Sequence, residues 1–580
     1  MSLIKTIRAN CKDCYKCVRH CPMKAIRVVD GHAEIIDELC IGDGTCVRIC
    51  PQGAKQVRDS REAVRAILAS GKKVALSVAP SFVASFSDVD SGSFATAARR
   101  LGFDVVAETA EAAYYVTEQT MKALDRCERP AIASSCPVIV NLVERYYPHL
   151  LGHLVPVASP MVAHGRMLKE ALGPDSKVVF VGPCIAKKRE ADREEATGAI
   201  DAVLTFAELS DLFEEAGIIP SSQKHSEWDG HVAGVARLFP VEGGMMATAG
   251  IPGSFMGGAD LCITGVDQSI DFLEHATAHE DIRLVEMLSC EGGCIAGPFM
   301  RSDLDLWSRR RKIVEHAARG RAGSVAEPGL SAGEPGESRP PEPDMLSMSF
   351  HEREIDQPMP TEDEIREILA QTDKFCTEDE LNCGACGYNS CREKAIAVYR
   401  GMAEVEMCIP YMRRRAESMS NLIISSTPNA IVAVDRDLNI VLVNPSFESV
   451  FRVSAESCVG QHVSVVMDPE PFRKVFETRE LMCIEEEHLD GELRTSQIVF
   501  YVEVRDLVVA IGTDITAEHN TARAIQKARE ETLEKAGAVI DRQMRVAQEI
   551  AGLLGETTAE TKVLLTQLMK QMQDEELTRP

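Results

Sequence analysis

VEMLSCEGGCIAG, residues 285–297, is the stretch on which the reading of this chain turns. Alone it offers two thiols, Cys290 and Cys294, with neighbouring glycines that let the backbone approach something bulky. Two other stretches complete it: ASSCP at 133–137, carrying Cys136, and GPCIAKKRE at 182–190, carrying Cys184. Three loops thus supply four soft ligands, and four thiolates can hold a cubic iron–sulfur cluster. Lys187, in the second loop, can donate a charged hydrogen bond to an anionic ligand.

The surrounding sequence is α/β in pattern. SREAVRAILASG reads as an amphipathic helix and KKVALSVAPS as a buried strand running into a turn. KVVFVGPC is another apolar strand, delivering Cys184 at its end, and IDAVLTFAELSDLFEEAG gives strand, N-cap and helix. Strand ends are where α/β sheets place their sites. The tract VEGGMMATAGIP, with Gly243 and Gly244, is expected as a tight loop near the site or a plain surface turn.

In order and spacing these loops resemble the signature loops of [FeFe]-hydrogenases, over roughly residues 60–315. The resemblance implies that Cys136, Cys184, Cys290 and Cys294 bind a [4Fe-4S] cube. It also implies that Cys294 bridges to a diiron subcluster carrying CO, cyanide and a dithiolate, the whole being an H-cluster. Lys187 and Glu190 match the family's second loop, PCxxKxxE. Departures accompany the match. The family's first loop is TSCCPxW, and here Ser135 and Ile139 replace its relay cysteine and its tryptophan. Leu288 stands where the third loop carries methionine, and VTEQT at 116–120 replaces an acidic relay stretch. A thiol titrates near pH 8.5 and a serine hydroxyl is a far weaker acid, so proton relay through residue 135 should be slow.

Composition bounds the remainder. The chain has 580 residues, 45% of them hydrophobic, and a net charge of −26, which disfavours nucleic acid and anionic membrane surfaces as partners. A cysteine motif starts at residue 11 in place of a signal peptide, and no apolar run approaches 18 residues. A cytoplasmic location is therefore expected. Twenty cysteines clustered in short motifs argue for metal rather than disulfides. Cys127, Cys262, Cys376, Cys458 and Cys483 fall outside the motifs and are expected to be mostly buried small apolar residues.

CKDCYKCVRHCP, from residue 11, is the CxxCxxCxxxCP run of bacterial two-cluster ferredoxins, and CIGDGTCVRICP repeats it with Asp43 in place of a cysteine. Between them, IRVVDGHAEII alternates across an Asp-Gly turn, a hairpin pattern. In that fold the fourth cysteine of each run serves the other cluster. Cys11, Cys14, Cys17 and Cys50 would hold one [4Fe-4S] cube; Cys40, Cys46 and Cys21 would hold the other, with Asp43 at the fourth iron. Asp43 either binds iron as a harder ligand or leaves a labile corner that yields a [3Fe-4S] cluster; otherwise it faces solvent, with that cluster three-iron or absent.

Proline-rich AEPGLSAGEPGESRPPEPD cannot bury enough surface to fold and reads as a linker. PTEDEIREILAQT is a capped helix, followed by NCGACGYNSCREKAIAVYRGMAEVEMCIP. There Cys383, Cys386, Cys391 and Cys408 can hold zinc or a cluster; the stretch resembles the small [4Fe-4S] domain of acetyl-CoA-pathway corrinoid proteins and certain reductase subunits. STPNAIVAVDRDLNIVLVNPSFESVFRVSAESCVGQHV and the closing GTDIT resemble a PAS domain. His462 within it is expected to be a surface or satisfied residue rather than a haem ligand. In the tail Ile525, Thr532, Val539, Val546 and Leu553 recur every seven residues, an imperfect coiled-coil seam unless the helix packs on its own domain.

The expected fold class is multidomain, α/β and α+β. It comprises a bacterial-ferredoxin-like domain over 1–59, an α/β [FeFe]-hydrogenase-like H-cluster domain over 60–320 and a disordered linker over 321–360. A small iron–sulfur domain over 361–416, a PAS domain over 417–516 and a coiled-coil signalling helix over 517–580 follow. The expected function is a low-activity sensory hydrogenase, reacting with H2 and protons and exchanging electrons with a ferredoxin-like carrier. It would signal as a homodimer, through PAS and coiled coil, to a separate phosphatase or kinase. The alternatives are an iron–sulfur redox sensor lacking the diiron unit and a catalytic hydrogenase in an electron-bifurcating complex.

Overall fold

The computed structural model describes residues 2–230, 234–251, 258–319, 340–353, 355, 357–554 and 558–574. The chain forms two compact units, Met1–Tyr411 and Met412–Pro580.

The first unit opens with the two-cluster ferredoxin pattern. Helices Lys16–His20 and Thr45–Ile49 follow the two cysteine runs, and strand Ile4–Thr6 pairs antiparallel with Lys55–Val57. Strands Ile26–Val29 and His32–Ile35 form the expected hairpin. Its turn residues Asp30 and Gly31 have φ of 50° and 70°, the positive values a two-residue turn of this hand requires. Lys55 is buried, its Nζ donating to Thr6 Oγ1 and Ala33 O at 2.7 Å each.

Next comes a parallel sheet in the order Val105–Glu108, Val74–Val78, Lys177–Gly182, Ala202–Thr205. These are the apolar runs read as strands. Buried on both faces, they need no polar alternation. One core packs Phe82, Phe94, Phe206 and Phe213 against the sheet, and another packs Met161, Val178 and Val203. Each such side chain contributes about 1.5–3 kcal/mol by leaving water. Helix Phe206–Glu215 starts at a capping box between Thr205 and Glu208, and helix Arg61–Leu68 buries Val64. A second parallel sheet, in the order Asp260–Thr264, Leu284–Leu288, Ala131–Ile132, supplies the other two cysteine loops.

The linker reading of 321–360 needs correction at its C-terminal end. Residues 320–339 lie outside the described residues, but 340–353 lie against the α/β domain. Leu346 and Met348 are buried in its core, and Ala158 N donates to Leu346 O at 2.7 Å. Arg353 joins the buried Glu144–Arg193 pair. Apolar residues at 345, 346 and 348 are enough to turn this part of the chain into a strap.

The small cysteine domain begins, as read, with a capped helix: Thr361 and Glu364 form the capping box of Glu362–Ala370. It does not stand alone. Tyr388, Ala397, Ala403 and Met407 share one apolar core with Ile4, Val18, Ile26 and Val28 of the ferredoxin-like domain. Lys24 Nζ donates to Gly387 O at 2.9 Å, and Val28 N to Met402 O at 2.9 Å.

In the second unit a five-stranded antiparallel sheet runs Ile440–Val443, Ala430–Val434, Leu507–Asp514, Leu493–Val502, Met482–His488. Phe447, Phe451 and Phe472 fill its core. His462 caps a short turn, its Nδ1 2.8 Å from Ser464 Oγ. Helix Thr516–Leu554 is continuous over 39 residues, passing through Gly537, and Ile525, Val539 and Val546 are exposed along it. The tail residues 555–557 and 575–580 lie outside the described residues. No helix among the described residues is long and apolar enough to cross a membrane.

Candidate functional site

Parallel strands send all their C-terminal ends the same way, and the cysteine loops leave from those ends. Cys184 follows Lys177–Gly182, Cys136 follows Ala131–Ile132, and Cys290 follows Leu284–Leu288. Cys136 is also the N-cap of helix Pro137–Tyr146, whose positive end favours anionic contents. Cys136, Cys184, Cys290 and Cys294 all line one cavity with about 940 Å³ of open space. Ser135, Leu288 and Lys187 line it too. Gly293, at φ 93°, has no room for a side chain, since a Cβ there would lie 2.5 Å from Pro240 O. The tract carrying Gly243 and Gly244 begins beside the site: Phe239 and Pro240, just before it, line the cavity, and helix Gly244–Thr248 follows.

Lys187 Nζ donates to Glu190 Oε2 at 2.7 Å and to Ser135 O at 3.4 Å. Glu190 is buried and does not line the cavity, so it holds Lys187 rather than facing the contents. Burial pushes the Cys184 thiol up to about 11 and Cys294 up to about 12, with neighbouring thiols adding to the rise and Lys187 opposing it. Cys290 is driven well above its ordinary value by burial and by the other three. Four thiolates here would need positive charge between them, which bound iron would supply while displacing the protons. Among the described residues, no three His, Cys, Asp or Glu side chains converge on a point as ligands of a single metal ion. The four thiols line the open space of the cavity instead. Ser81 Oγ lies on the cavity wall, buried and without a hydrogen-bond partner among the described residues. An orphaned donor of this kind suits a cluster with anionic ligands.

The altered acidic stretch does not reach this space. Glu118 is exposed, while Thr117 and Thr120 are buried in the helix packing. Ile139 is wholly buried and packs in the core behind the Cys136 loop.

Among the ferredoxin-like cysteines, Cys21 lies near Cys40 and Cys46, and Cys17 near Cys11 and Cys14. Burial and then the Asp43 carboxylate push Cys21 up to about 12, with Cys40 adding to it; Cys46 is raised in the same way by burial, Asp43, Cys40 and Cys21. Cys17 is raised by burial, with Cys11 and Cys14 close enough to contribute. Cys50 caps helix Thr45–Ile49, its Sγ accepting from Ala54 N at 3.3 Å. Asp43 also lines the large cavity and raises Cys290, so it stands between the two sites. Arg145 and Arg189 clamp this loop to the α/β domain through Cys40 O, and Asn141 through Ile41 O.

In the small domain Cys383, Cys386, Cys391 and Cys408 line a pocket of about 430 Å³. Two buried lysines share it: Lys374 Nζ is 3.4 Å from Cys408 Sγ, and Lys394 Nζ donates to Val405 O at 2.8 Å. Tyr388 lies close enough to both Cys386 and Cys21 to feel each. Cys376 is exposed outside the pocket, and Cys483 is exposed on the PAS sheet, so neither is the buried apolar residue expected.

Four family models match the chain. Residues 72–254 match "Iron only hydrogenase large subunit, C-terminal domain", and 3–64 match a 4Fe-4S dicluster domain. Residues 379–410 match an Fe-S cluster family and 424–520 the PAS fold. The NADP-reducing hydrogenase subunit HndD of Solidesulfovibrio fructosivorans is 28% identical over 372 residues, 54% of this chain and 60% of that one. Iron hydrogenase 1 of Clostridium pasteurianum is 29% identical over 290 residues, 40% of this chain and 50% of that one. The cytosolic Fe-S cluster assembly factor NAR1 of Sclerotinia sclerotiorum is 34% identical over 110 residues, 16% and 19% of the two chains. This chain thus spans 60% or less of the length of each of these relatives.

Proposed function

We propose that this chain, which joins an iron-only hydrogenase domain to a ferredoxin-like dicluster, a further iron–sulfur domain and a PAS domain in the architecture of a sensory-type [FeFe]-hydrogenase, reacts slowly and reversibly with H2 and passes its redox state toward signalling. The observation that carries the reading is the single cavity walled by all four loop cysteines, Lys187 and the orphaned Ser81 hydroxyl. When bound, an H-cluster supplies reversible splitting of H2 into two protons and two electrons.

The chain's own residues define the rest. Cys136, Cys184, Cys290 and Cys294, which line the cavity together, would hold the H-cluster, Cys294 being the thiolate that would be shared with its diiron part. Lys187, kept in place by Glu190, neutralises anionic ligands from one side. Ser135, a poor acid where a thiol would serve, keeps turnover low. Cys21, Cys40 and Cys46, beside Asp43, would hold a cluster next to the cavity, and Cys11, Cys14, Cys17 and Cys50, and Cys383, Cys386, Cys391 and Cys408, would hold two more; bound clusters would supply electron transfer to and from the site. With Asp43 ligating the fourth iron the neighbouring cluster would be [4Fe-4S]; with that corner left unligated it would be [3Fe-4S]. Exposed Ile525, Val539 and Val546 suit a PAS-led homodimer whose output goes to a separate phosphatase or kinase, with a ferredoxin-like carrier as electron partner. Ser135 and Leu288 favour a second reading, a multi-cluster redox sensor without the diiron unit.

Anaerobic infrared spectroscopy of protein expressed with the diiron maturation machinery tests the choice. Terminal CO and cyanide bands that shift under H2 support the first reading. Their absence, with the iron–sulfur cubes loaded, supports the second and removes hydrogen from the account.

A further inference from the structure

A chain of buried polar groups leads away from the cavity, passing the start of the helix that carries the altered acidic stretch. Thr109 lines the cavity, and its Oγ1 is 2.8 Å from Ser77 Oγ. Ser77 Oγ is in turn 2.8 Å from Nδ1 of His164. His164 is 1% exposed, and its Nε2 has no hydrogen-bond partner among the described residues. That nitrogen is 3.9 Å from Oε2 of Glu111, whose side chain is 15% exposed beneath Gly230. Ser77 comes from the central strand Val74–Val78, Thr109 and Glu111 from the start of helix Ala110–Ala123, and His164 from helix Pro160–Leu172. A histidine with one ring nitrogen satisfied and the other left bare in a dry core costs stability that an apolar residue would not.

The geometry points to Glu111, His164, Ser77 and Thr109 as a proton relay joining the protein surface to the cavity, replacing a route through residue 135. The inference rests on the hydrogen-site reading above. One passage balances as follows. Glu111, protonated from solvent, gives its proton to His164 Nε2, while His164 Nδ1 releases its proton to Ser77 Oγ. Ser77 passes its own hydroxyl proton to Thr109 Oγ1, and Thr109 delivers its hydroxyl proton into the cavity. Each group gains one proton and loses one, and Glu111 is left as the carboxylate. Hydroxyl rotation and return of the imidazole to the Nδ1–H tautomer restore the chain. Burial holds the His164 ring down to about 4, so it is neutral at physiological pH and keeps the bare nitrogen free to accept. A relay through weak acids and a 3.9 Å gap is slow, in keeping with a detector rather than a fast catalyst.

Two variants test it in the fully matured, full-length protein: Ser77→Ala, which removes one hydroxyl at little change in volume, and His164→Phe. Two quantities are read. One is the rate of H2/D2O isotope exchange; the other is the rate at which the carbonyl infrared bands relax after a pH jump without hydrogen present. With band frequencies unchanged, the relay requires both rates to fall by about tenfold or more in each variant. It also requires a solvent isotope effect that grows as proton delivery becomes limiting. Wild-type rates in both variants with intact bands overturn the relay and leave the four groups a structural cluster. Wild-type protein that shows no carbonyl bands at all overturns the hydrogen-site reading, and the relay with it.

Discussion

Lys374 offers a measurement that needs only the small cluster domain to be loaded. Its ammonium is buried and sits 3.4 Å from Cys408 Sγ, at the wall of the four-cysteine pocket. Adding an iron–sulfur bond of about 2.3 Å, the charge on a reduced cluster lies about 5–6 Å from the ammonium. At an effective dielectric of about 20, a unit charge at that range is worth about 3 kcal/mol, or about 125 mV for one electron. Lys374→Met keeps the length of the side chain and removes the charge. The potential of this cluster should fall by on the order of 100 mV, and Lys374→Arg should restore most of it. The assay is an EPR-monitored redox titration, the signal being assigned by its loss in Cys386→Ala and cluster content checked by iron analysis. A shift below about 20 mV in a fully loaded variant would refute the argument, because it would mean the ammonium is screened or uncharged in place.

Two further perturbations follow from the same structure. Glu286 lies under the Cys290–Cys294 loop and accepts from Met245 N and Met246 N at 3.2 and 3.3 Å; burial lifts it from 4.5 to about 7. A raised carboxyl favours the fold below pH 4.5 and loses that contribution as pH rises through 7, a change of about 3 kcal/mol. Glu286→Gln should abolish that dependence, seen as protection of the Met245 and Met246 amides against hydrogen exchange that no longer declines from pH 5 to 8. Ser135→Cys places a thiol of pKa about 8.5 on the cavity wall and should raise hydrogen turnover by about 10²-fold or more in matured protein. Unchanged turnover with intact infrared bands would show that residue 135 does not limit proton delivery.

Much of the site was legible because its chemistry is encoded in contiguous loops. Cys290 and Cys294, Cys184 and Lys187, and Ser135 and Cys136 each lie within a few residues of a strand end, and parallel strands bring such ends together without further instruction. The hairpin over Asp30 and Gly31, the capping boxes at Thr205 and Thr361 and the PAS strands were equally readable, each resting on short-range backbone rules. The polar chain through Ser77, Thr109 and His164 was not. Those residues lie on three elements up to 87 positions apart, and a single serine, threonine or histidine carries no pattern.

Local spacing by itself determined which residues can be ligands, where the strands and helices begin, and that Asp43 interrupts an otherwise regular cysteine run, since all of these depend on neighbours in the chain. Only the tertiary structure decided which ligands meet. It placed Asp43 against both the Cys21 group and the Cys290 cavity, and it turned residues 340–353 from expected linker into a strap. It also merged the core of the small cluster domain with that of the N-terminal domain, bringing Tyr388 close to Cys21 and Cys386 together. Such contacts follow from burying apolar surface wherever complementary surface exists, a requirement indifferent to distance along the chain.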